Sequence, residues 1–532
     1  MVDYVIVGGG SAGCVLAARL TEDPAITVCL LEAGPVDSSV FIHAPIGFAV
    51  SATLGLFNWN YETVPQSEFS NGRRGYQPRG KTLGGSSSVN AMVYTRGNPK
   101  DYDRWASMGN IGWSYADMLP YFKKSENNAC FGADAYRGAG GPLNVAYLRS
   151  PSSINTAFHH ACQDNGIPFN VDYNGAQQFG VSPSQVTQIN GERCSASKAY
   201  LTPNLNRPNL TVITNAHSRR VVFKGKRAVG VEYQHHGQTK VIEAAREVIL
   251  SAGAFGSPQL LMLSGVGAAA HLQQHGIPLV LDLPGVGQNL QDHITTTLIY
   301  RTVRKDATLG VSLSGGLTIL KAIAEWRKKR TGWITSNVAE TQAFISTENN
   351  PDWPNIQLAL CIGIVDDHTR KQHLGHGYTL HVTLMRPESR GTVTLKSANY
   401  KDAPLIDPRF LSDPKDVQVL VKATGMGHDI MESAALTPYR GEMLYQLDRN
   451  DPAKIEEYLR RNSDTEYHPV GTCKMGPSAD SAAVVDSTLK VHGLEGLRVV
   501  DASVFPLLVT GNTNAPVIAL AEKVAALIRD GR

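Results

Sequence analysis

Asp3-Tyr4-Val5-Ile6-Val7-Gly8-Gly9-Gly10-Ser11-Ala12-Gly13 opens the chain with a β-branched apolar run that passes without a gap into a G-x-G-x-x-G turn. Val15, Leu16 and Leu20 then recur at helical spacing, and Ile26-Thr27-Val28-Cys29-Leu30-Leu31 forms a second apolar run that stops at Glu32. The order is strand, glycine turn, helix, strand, acid. Each part has a task in holding an adenine dinucleotide. Gly8 permits the tight turn, Gly10 lets the backbone approach a pyrophosphate, Gly13 lets the helix pack on the strand, and the helix N-terminus faces the phosphate charge. Glu32 lies 19 residues after Gly13, where a carboxylate accepts hydrogen bonds from ribose hydroxyls.

The 532 residues suffice for two large units, and 42% of them are apolar, enough to fill two cores. With 50 basic against 47 acidic residues the net charge is +3, so no basic field points to nucleic acid. Seven cysteines are scattered without a C-x-x-C pair, which fits a reduced, cytoplasmic setting better than a disulfide framework. A strand that starts at residue 3 leaves no room for a secretory signal, and no uninterrupted apolar stretch of about 18 residues spans a membrane. Residues 40–57 come nearest. His43, Pro45, Gly47, Ser51, Thr53 and Gly55 interrupt them, so they read as a loop or lid over an apolar cavity.

Three further motif matches fail on context. Gly75-Tyr76-Gln77-Pro78-Arg79-Gly80-Lys81-Thr82 satisfies the Walker A letters, but no apolar strand precedes it and no helix pattern follows. Gly9-Gly10-Ser11-Ala12-Gly13 fits a nucleophile elbow but already belongs to the dinucleotide turn. Gly265-Val266-Gly267-Ala268-Ala269-Ala270 imitates a second fingerprint, yet a helix is expected before it and no acid follows at the right distance.

Residues 210–214, 219–223, 227–233 and 239–243 read as short strands of a meander, after which 246–250 returns to a parallel sheet. Residues 379–384 and 392–396 read as antiparallel strands around a turn at 387–391. A helix near 317–330 ends in Arg327-Lys328-Lys329-Arg330, cations that complement its dipole or rest on anionic lipid. Near the C-terminus, Glu466-Tyr467-His468-Pro469-Val470-Gly471 sets one of 16 histidines in a turn-rich segment, which alone carries no chemical assignment. Leu497-Arg498-Val499-Val500-Asp501 is another strand ending in an acid. Gly511-Asn512-Thr513-Asn514-Ala515-Pro516 then starts a helix, with Thr513 or Asn514 as cap.

Arg79-Gly80-Lys81-Thr82-Leu83-Gly84-Gly85-Ser86-Ser87-Ser88-Val89-Asn90-Ala91-Met92-Val93 resembles the first signature of the glucose-methanol-choline (GMC) flavin oxidoreductases, and Gly253-Ala254-Phe255-Gly256-Ser257-Pro258 with the residues up to Gly267 resembles the second. The resemblance implies an α/β fold: a Rossmann-type FAD-binding domain with an α+β substrate domain built from inserted segments. The FAD domain is expected from 1–150, 210–299 and 465–532, and the substrate domain from 151–209 and 300–464. Val89 occupies the position at which some members carry a histidine bonded to FAD, so noncovalent FAD is implied. Ser11, Ala12, Glu32, Ser86, Asn90, Ala91 and Val93 are implied cofactor contacts, with Ser218 near adenine and Asp501 and Ala502 near the ribityl or phosphate part.

The family likeness also assigns the chemistry. An alcohol of pKa near ~16 does not release hydride until its proton is being removed, so a base must stand within hydrogen-bond reach of the hydroxyl. His468 matches that base, and Asn512 matches the residue that hydrogen-bonds the same oxygen. No metal is expected, because no histidine, cysteine and carboxylate cluster has ligand spacing. Tyr378-Thr379-Leu380-His381 and Pro387-Glu388-Ser389-Arg390-Gly391 are similar to a choline dehydrogenase-like bacterial branch, particularly its alcohol dehydrogenases of alkane degradation. The implication is oxidation of a primary, aliphatic alcohol to an aldehyde, with electrons passed to a quinone-like acceptor. Sugar, choline or polyethylene glycol dehydrogenase, alcohol oxidase and hydroxynitrile lyase remain alternatives, and peripheral contact with the cytoplasmic face of a membrane stays open.

Overall fold

The opening run becomes β1 (Val2–Val7) and the second apolar run β2 (Val28–Leu31) of a seven-stranded sheet. Four further strands, β3 (Leu210–Ile213), β4 (Ala216–Lys224), β5 (Arg227–His235) and β6 (Gln238–Leu250), and a last one, β7 (Leu497–Val499), complete it. The computed structural model describes residues 1–532, apart from the side chains of Leu313, Ser314 and Leu317. The helices that shape the site are α1 (Ser11–Leu20), α2 (Val40–His43), α3 (Gly47–Leu54), α4 (Gly253–Leu263), α5 (Leu313–Lys329) and α6 (Asn514–Arg529).

Strand order is β3-β2-β1-β6-β5-β4, with β7 also on β6. The pairs β3–β2, β2–β1, β1–β6 and β6–β7 are parallel, and the turns at their C-terminal ends define one edge, where ligands bind in open α/β sheets. Val5, Ile6, Leu30, Val248 and Ile249 are at most 1% exposed, so both faces of the sheet are covered. Gly13 explains how closely α1 lies: a Cβ there would stand 1.9 Å from the carbonyl oxygen of Gly8. Gly8 itself has φ +103°, and its Cβ would stand 2.4 Å from the Ser251 oxygen.

The second sheet is antiparallel and runs Asp464–Thr465, Ile294–Arg301, Gly375–Leu384, Ile356–Cys361, Ala339–Ile345, Gly180–Pro183. Ile294–Arg301 thus belongs to it although it precedes residue 300. Period-two alternation gives the sheet two faces. Leu358, Leu360, Leu380 and Val382 join Leu420, Ala423 and Ile430 of the helix Pro414–Met431 in one core, while Gln357, Ala359, Cys361 and His381 face a cavity shared with the first sheet.

Several local readings change. Residues 210–213 do not join the meander: they pair parallel with β2 at the sheet edge, anchored by Asn209, whose Nδ2 donates to the carbonyls of Thr21, Asp23 and Ile26. Residues 239–243 and 246–250 are one strand, β6, because Ala244-Ala245 offers no turn residue. Residues 379–384 and 392–396 do not pair with each other. The former lies between Ile294–Arg301 and Ile356–Cys361, whereas Thr392–Thr394 pairs with Leu405–Asp407. Residues 40–57 are two short helices, not a loop. Ser39 caps α2 by accepting from Phe41 N, and Gly55, at φ +62°, ends α3.

Candidate active site

One cavity of about 410 Å³ lies between the edge of the first sheet and the polar face of the second. Gly8, Gly10, Ser11, Ala12, Glu32, Ser86, Asn90, Ala91, Val93, Ser218, His468, Asp501, Ala502 and Asn512 all line it. Gly13 does not: it serves the packing of α1 on β1. Val89 lines it as well, as do Phe48, Ala49 and Ala52 of α3, so this segment is a wall of the chamber.

At the dinucleotide end, α1, α4 and α6 all begin without a side-chain cap and without an acid in the first turn. Ser11, Gly253 and Asn514 at these three N-termini line the cavity, which therefore faces the positive ends of three helix dipoles. Ser11 Oγ donates to Asn514 Oδ1 at 2.7 Å and ties α1 to α6. The Glu32 carboxylate accepts from Gly9 N at 2.8 Å and Gly34 N at 2.7 Å. Burial pushes its pKa up to about 7 against those two donors. Asp501 is likewise pushed up by burial and accepts from Gly253 N, Ser257 Oγ and Ser503 N.

FAD fits this donor set on the structure's own terms. Ser218 and Ser251 line the cavity, and their buried Oγ atoms have no hydrogen-bond partner among the described residues. A Cβ built on Gly10 would meet nothing nearer than the Ser251 oxygen at 3.9 Å, so the backbone there lies open to a ligand. Polar groups left waiting, a bare backbone and convergent helix N-termini suit a long anionic dinucleotide.

At the other end, His468 Nε2 lies 3.1 Å from Asn512 Nδ2, and His468 Nδ1 lies 3.0 Å from His293 Nδ1. His293 Nε2 lies 3.1 Å from the Met385 carbonyl oxygen. A carbonyl only accepts, so neutral His293 carries its proton on Nε2 and offers Nδ1 as acceptor. His468 therefore carries its proton on Nδ1. Its Nε2 carries the lone pair, which accepts from Asn512 Nδ2 at the cavity wall. Both rings are held neutral at pH 7: burial, with His293 and Arg79 nearby, depresses His468 well below the usual range, and burial lowers His293 to about 4.

The histidine's backbone is fixed as firmly as its ring. His468 N donates to Asp292 Oδ1 at 2.8 Å, while Gln77 Nε2 and Thr465 Oγ1 donate to Oδ2. Arg79 Nη1 donates to the Tyr467 carbonyl at 2.7 Å. Gln357 Nε2 donates to Asn512 Oδ1 at 3.3 Å, which turns the Asn512 NH2 group towards His468. Sequence reasoning missed His293, Asp292, Arg79 and Gln357 as a supporting shell: Arg79 opens the first signature but no role is read for it there, and no spacing or motif marks the other three.

The fold also brings Asp367, His368 and Asp464 together, with one ligand atom of each within 4.8 Å of the others, a grouping that their positions in the chain conceal. Arg73 Nη1, 3.3 Å from Asp464 Oδ2, and His368 Nε2, 3.2 Å from it, already compensate this carboxylate. All seven cysteines are free. Among the described residues no helix is long and apolar enough to cross a membrane.

Residues 2–295 match the N-terminal model of the GMC oxidoreductases and residues 387–521 the C-terminal one. The chain is 46% identical over 532 residues to an alcohol dehydrogenase (acceptor) of Pseudomonas putida, covering 99% of this chain and 96% of that one. It is 44% identical to human mitochondrial choline dehydrogenase, covering 99% and 89%. Among solved structures, pyridoxine 4-oxidase from Mesorbium loti superposes with a TM-score of 0.89 at 31% identity, over 100% of this chain and 99% of that one. An FAD-dependent oxidoreductase from Chaetomium thermophilum gives 0.90 at 29%, with the same coverage. The two-sheet fold, the dinucleotide turn and the family models agree: this chain belongs to the GMC oxidoreductase family and is an enzyme that uses FAD.

Proposed function

We propose that the enzyme oxidises a primary, aliphatic alcohol to the aldehyde and passes the electrons to a quinone-like acceptor. The observation that carries this reading is the unprotonated Nε2 of His468 in the cavity wall, 3.1 Å from the amide nitrogen of Asn512. FAD, when bound noncovalently beside these residues, supplies the hydride acceptor. The chain supplies the rest. A hydroxyl that displaces the Asn512–His468 hydrogen bond donates to His468 Nε2 and accepts from Asn512 Nδ2. His468 takes the proton as carbon–hydrogen cleavage proceeds, and Asn512 holds the oxygen so that the α-carbon faces the cofactor. Ser11, Ala12, Glu32, Ser86, Asn90, Ala91, Val93, Ser218, Asp501 and Ala502 bind the dinucleotide. The relationship to the Pseudomonas putida alcohol dehydrogenase (acceptor) supports an alcohol substrate and a separate electron acceptor.

The test is anaerobic mixing of the purified flavoprotein with a panel of primary alcohols, choline and sugars, followed by a quinone analogue or air. Bleaching near ~450 nm by aliphatic alcohols, with recovery faster on quinone than in air, is the expected result. A flavin that stays oxidised with every alcohol overturns it.

The same reading sets the outer side of α2, α3 and α5 against a membrane. Val40, Phe41, Val50 and Leu54 are exposed on the first two helices, and Leu320 and Ile323 on the third. Ala44, next to α2, shares a small core with Ala322, Trp326 and Ile334, which joins these surfaces. Arg327, Lys328 and Lys329 add cations at the end of α5. Co-sedimentation with phosphatidylglycerol-containing vesicles is expected for the wild type. Phe41→Asp with Leu54→Asp should reduce it to below about a tenth, since each buried apolar side chain contributes about 1.5–3 kcal/mol. Equal sedimentation of both proteins would remove the membrane from the proposal.

A further inference from the structure

The chamber wall carries a carboxylate that the chemistry above does not use. Glu466 and His381 both face the cavity, with Glu466 Oε2 3.2 Å from His381 Nδ1. They come from separate elements: His381 from the strand Gly375–Leu384, Glu466 from the turn that also delivers His468, with only Tyr467 between them. Tyr467 has φ +69°, a left-handed conformation that a bulky residue adopts only under constraint. The bend brings the residues on either side of it to the same chamber.

Comparison with the other buried acids shows what is unusual here. In Glu340 one oxygen accepts from Ser152 N and Asn155 Nδ2 and the other from Ser336 Oγ. In Asp416 one accepts from Glu388 N and the other from Ser389. Asp292 and Asp501 also have both oxygens engaged. Glu466 Oε1 has no hydrogen bond among the described residues, and its side chain keeps 17% exposure, in the chamber wall. Those acids are fully buried or nearly so, whereas Glu466 is partly open to the chamber, and its unpaired oxygen is free to accept from what enters there. This one is left as an acceptor facing the substrate space.

We infer that Glu466, steadied by His381, is a second polar anchor of the substrate chamber, and that the preferred substrates are primary alcohols carrying a second, uncharged hydroxyl. The inference rests on the alcohol-oxidation reading and narrows it. His381 compensates the carboxylate charge, which favours a neutral donor over an ammonium group. Glu466 and His468 leave the same turn with one residue between them and line the same cavity, so a short diol such as butane-1,4-diol is the probe for a substrate that meets both. Phe48, Leu56, Val338 and Val365 line the same chamber and offer apolar surface to the methylenes.

The experiment compares butan-1-ol, butane-1,4-diol and 4-aminobutan-1-ol as reductants of the holoenzyme in anaerobic stopped flow, at pH 7.5. The expected kcat/KM for the diol exceeds that for butan-1-ol by about 10-fold or more, the effect of one hydrogen bond to a charged acceptor. Glu466→Val should bring that ratio to within about threefold of unity, and Glu466→Gln, which keeps an acceptor oxygen and the side-chain shape, should retain part of it. Bound-flavin content checks that both variants fold. An unchanged ratio in both variants, or a wild-type preference for the amino alcohol over the diol, overturns the inference while leaving alcohol oxidation intact. Failure of all three alcohols to reduce the flavin sinks both.

Discussion

Replacing His468 with Ala is expected to slow anaerobic flavin reduction by alcohol about 10²–10⁴-fold, the usual contribution of a positioned general base, with FAD still bound. The ring touches the cavity through Nε2, whereas the dinucleotide end is built from other residues, so the loss should fall on hydride transfer. The base acts only when neutral, and its pKa is held well below the usual imidazole value, first by burial and then by His293 and Arg79. The rate should therefore be flat through pH 7 and fall only in acid, as pH drops through that depressed pKa. An exposed histidine would already lose activity below about 6.5. His293→Ala removes the group that fixes the His468 tautomer and should lower kcat with little change in KM. A His468→Ala enzyme within a few-fold of wild type would remove this residue from the mechanism.

The largest structural effect is expected from Gly13→Val. A Cβ at this position would stand 1.9 Å from the Gly8 oxygen, and the obstacle is backbone that cannot swing aside. Either α1 moves away from β1 or the glycine turn distorts. Both change the place where the dinucleotide must lie, because Gly8, Gly10 and Ser11 line the cavity. Overpacking of this kind costs about 3 kcal/mol or more. The expected variant is poorly soluble, melts well below wild type and carries little flavin after purification. The measurement is the flavin-to-protein absorbance ratio together with the melting temperature. A variant that retains full flavin and stability would show that α1 does not depend on this close approach.

The first sheet was legible where local pattern and tertiary role coincide. β1, the turn, α1 and β2 are contiguous, and each residue type matches its place, so thirty-two residues define a binding unit. The errors arose where pairing partners are distant. An apolar run such as 210–213 looks the same whether it joins a parallel edge or a meander. His43 and Pro45 exclude one long helix but permit two short ones, so 40–57 lines the cavity as two helices and not as a loop. Family likeness picked out His468 and Asn512, and both line one cavity. What it did not supply was the shell around them. His293, Asp292, Arg79 and Gln357 come from separate segments joined by sheet register, and register depends on pairings that no single segment encodes. The Glu466–His381 pair, 85 residues apart, was hidden for the same reason.

The contact between α1 and α6 bears on how the protein is made. Ser11 meets Asn514 across 503 residues of chain, and Arg19 meets Glu522, whose carboxylate also accepts from Tyr200. β7, which pairs with β6 in the centre of the sheet, is likewise a late arrival. At ~5–20 residues per second, a ribosome needs roughly half a minute to two minutes to deliver α6 after the glycine turn has emerged. For that interval α1 has β1, β2 and residues 197–201 to pack on, while the side that meets α6 stays uncovered. The complete dinucleotide site therefore exists only once α6 has docked, because Asn512 and Asn514 line the same cavity as Gly8 and Gly10.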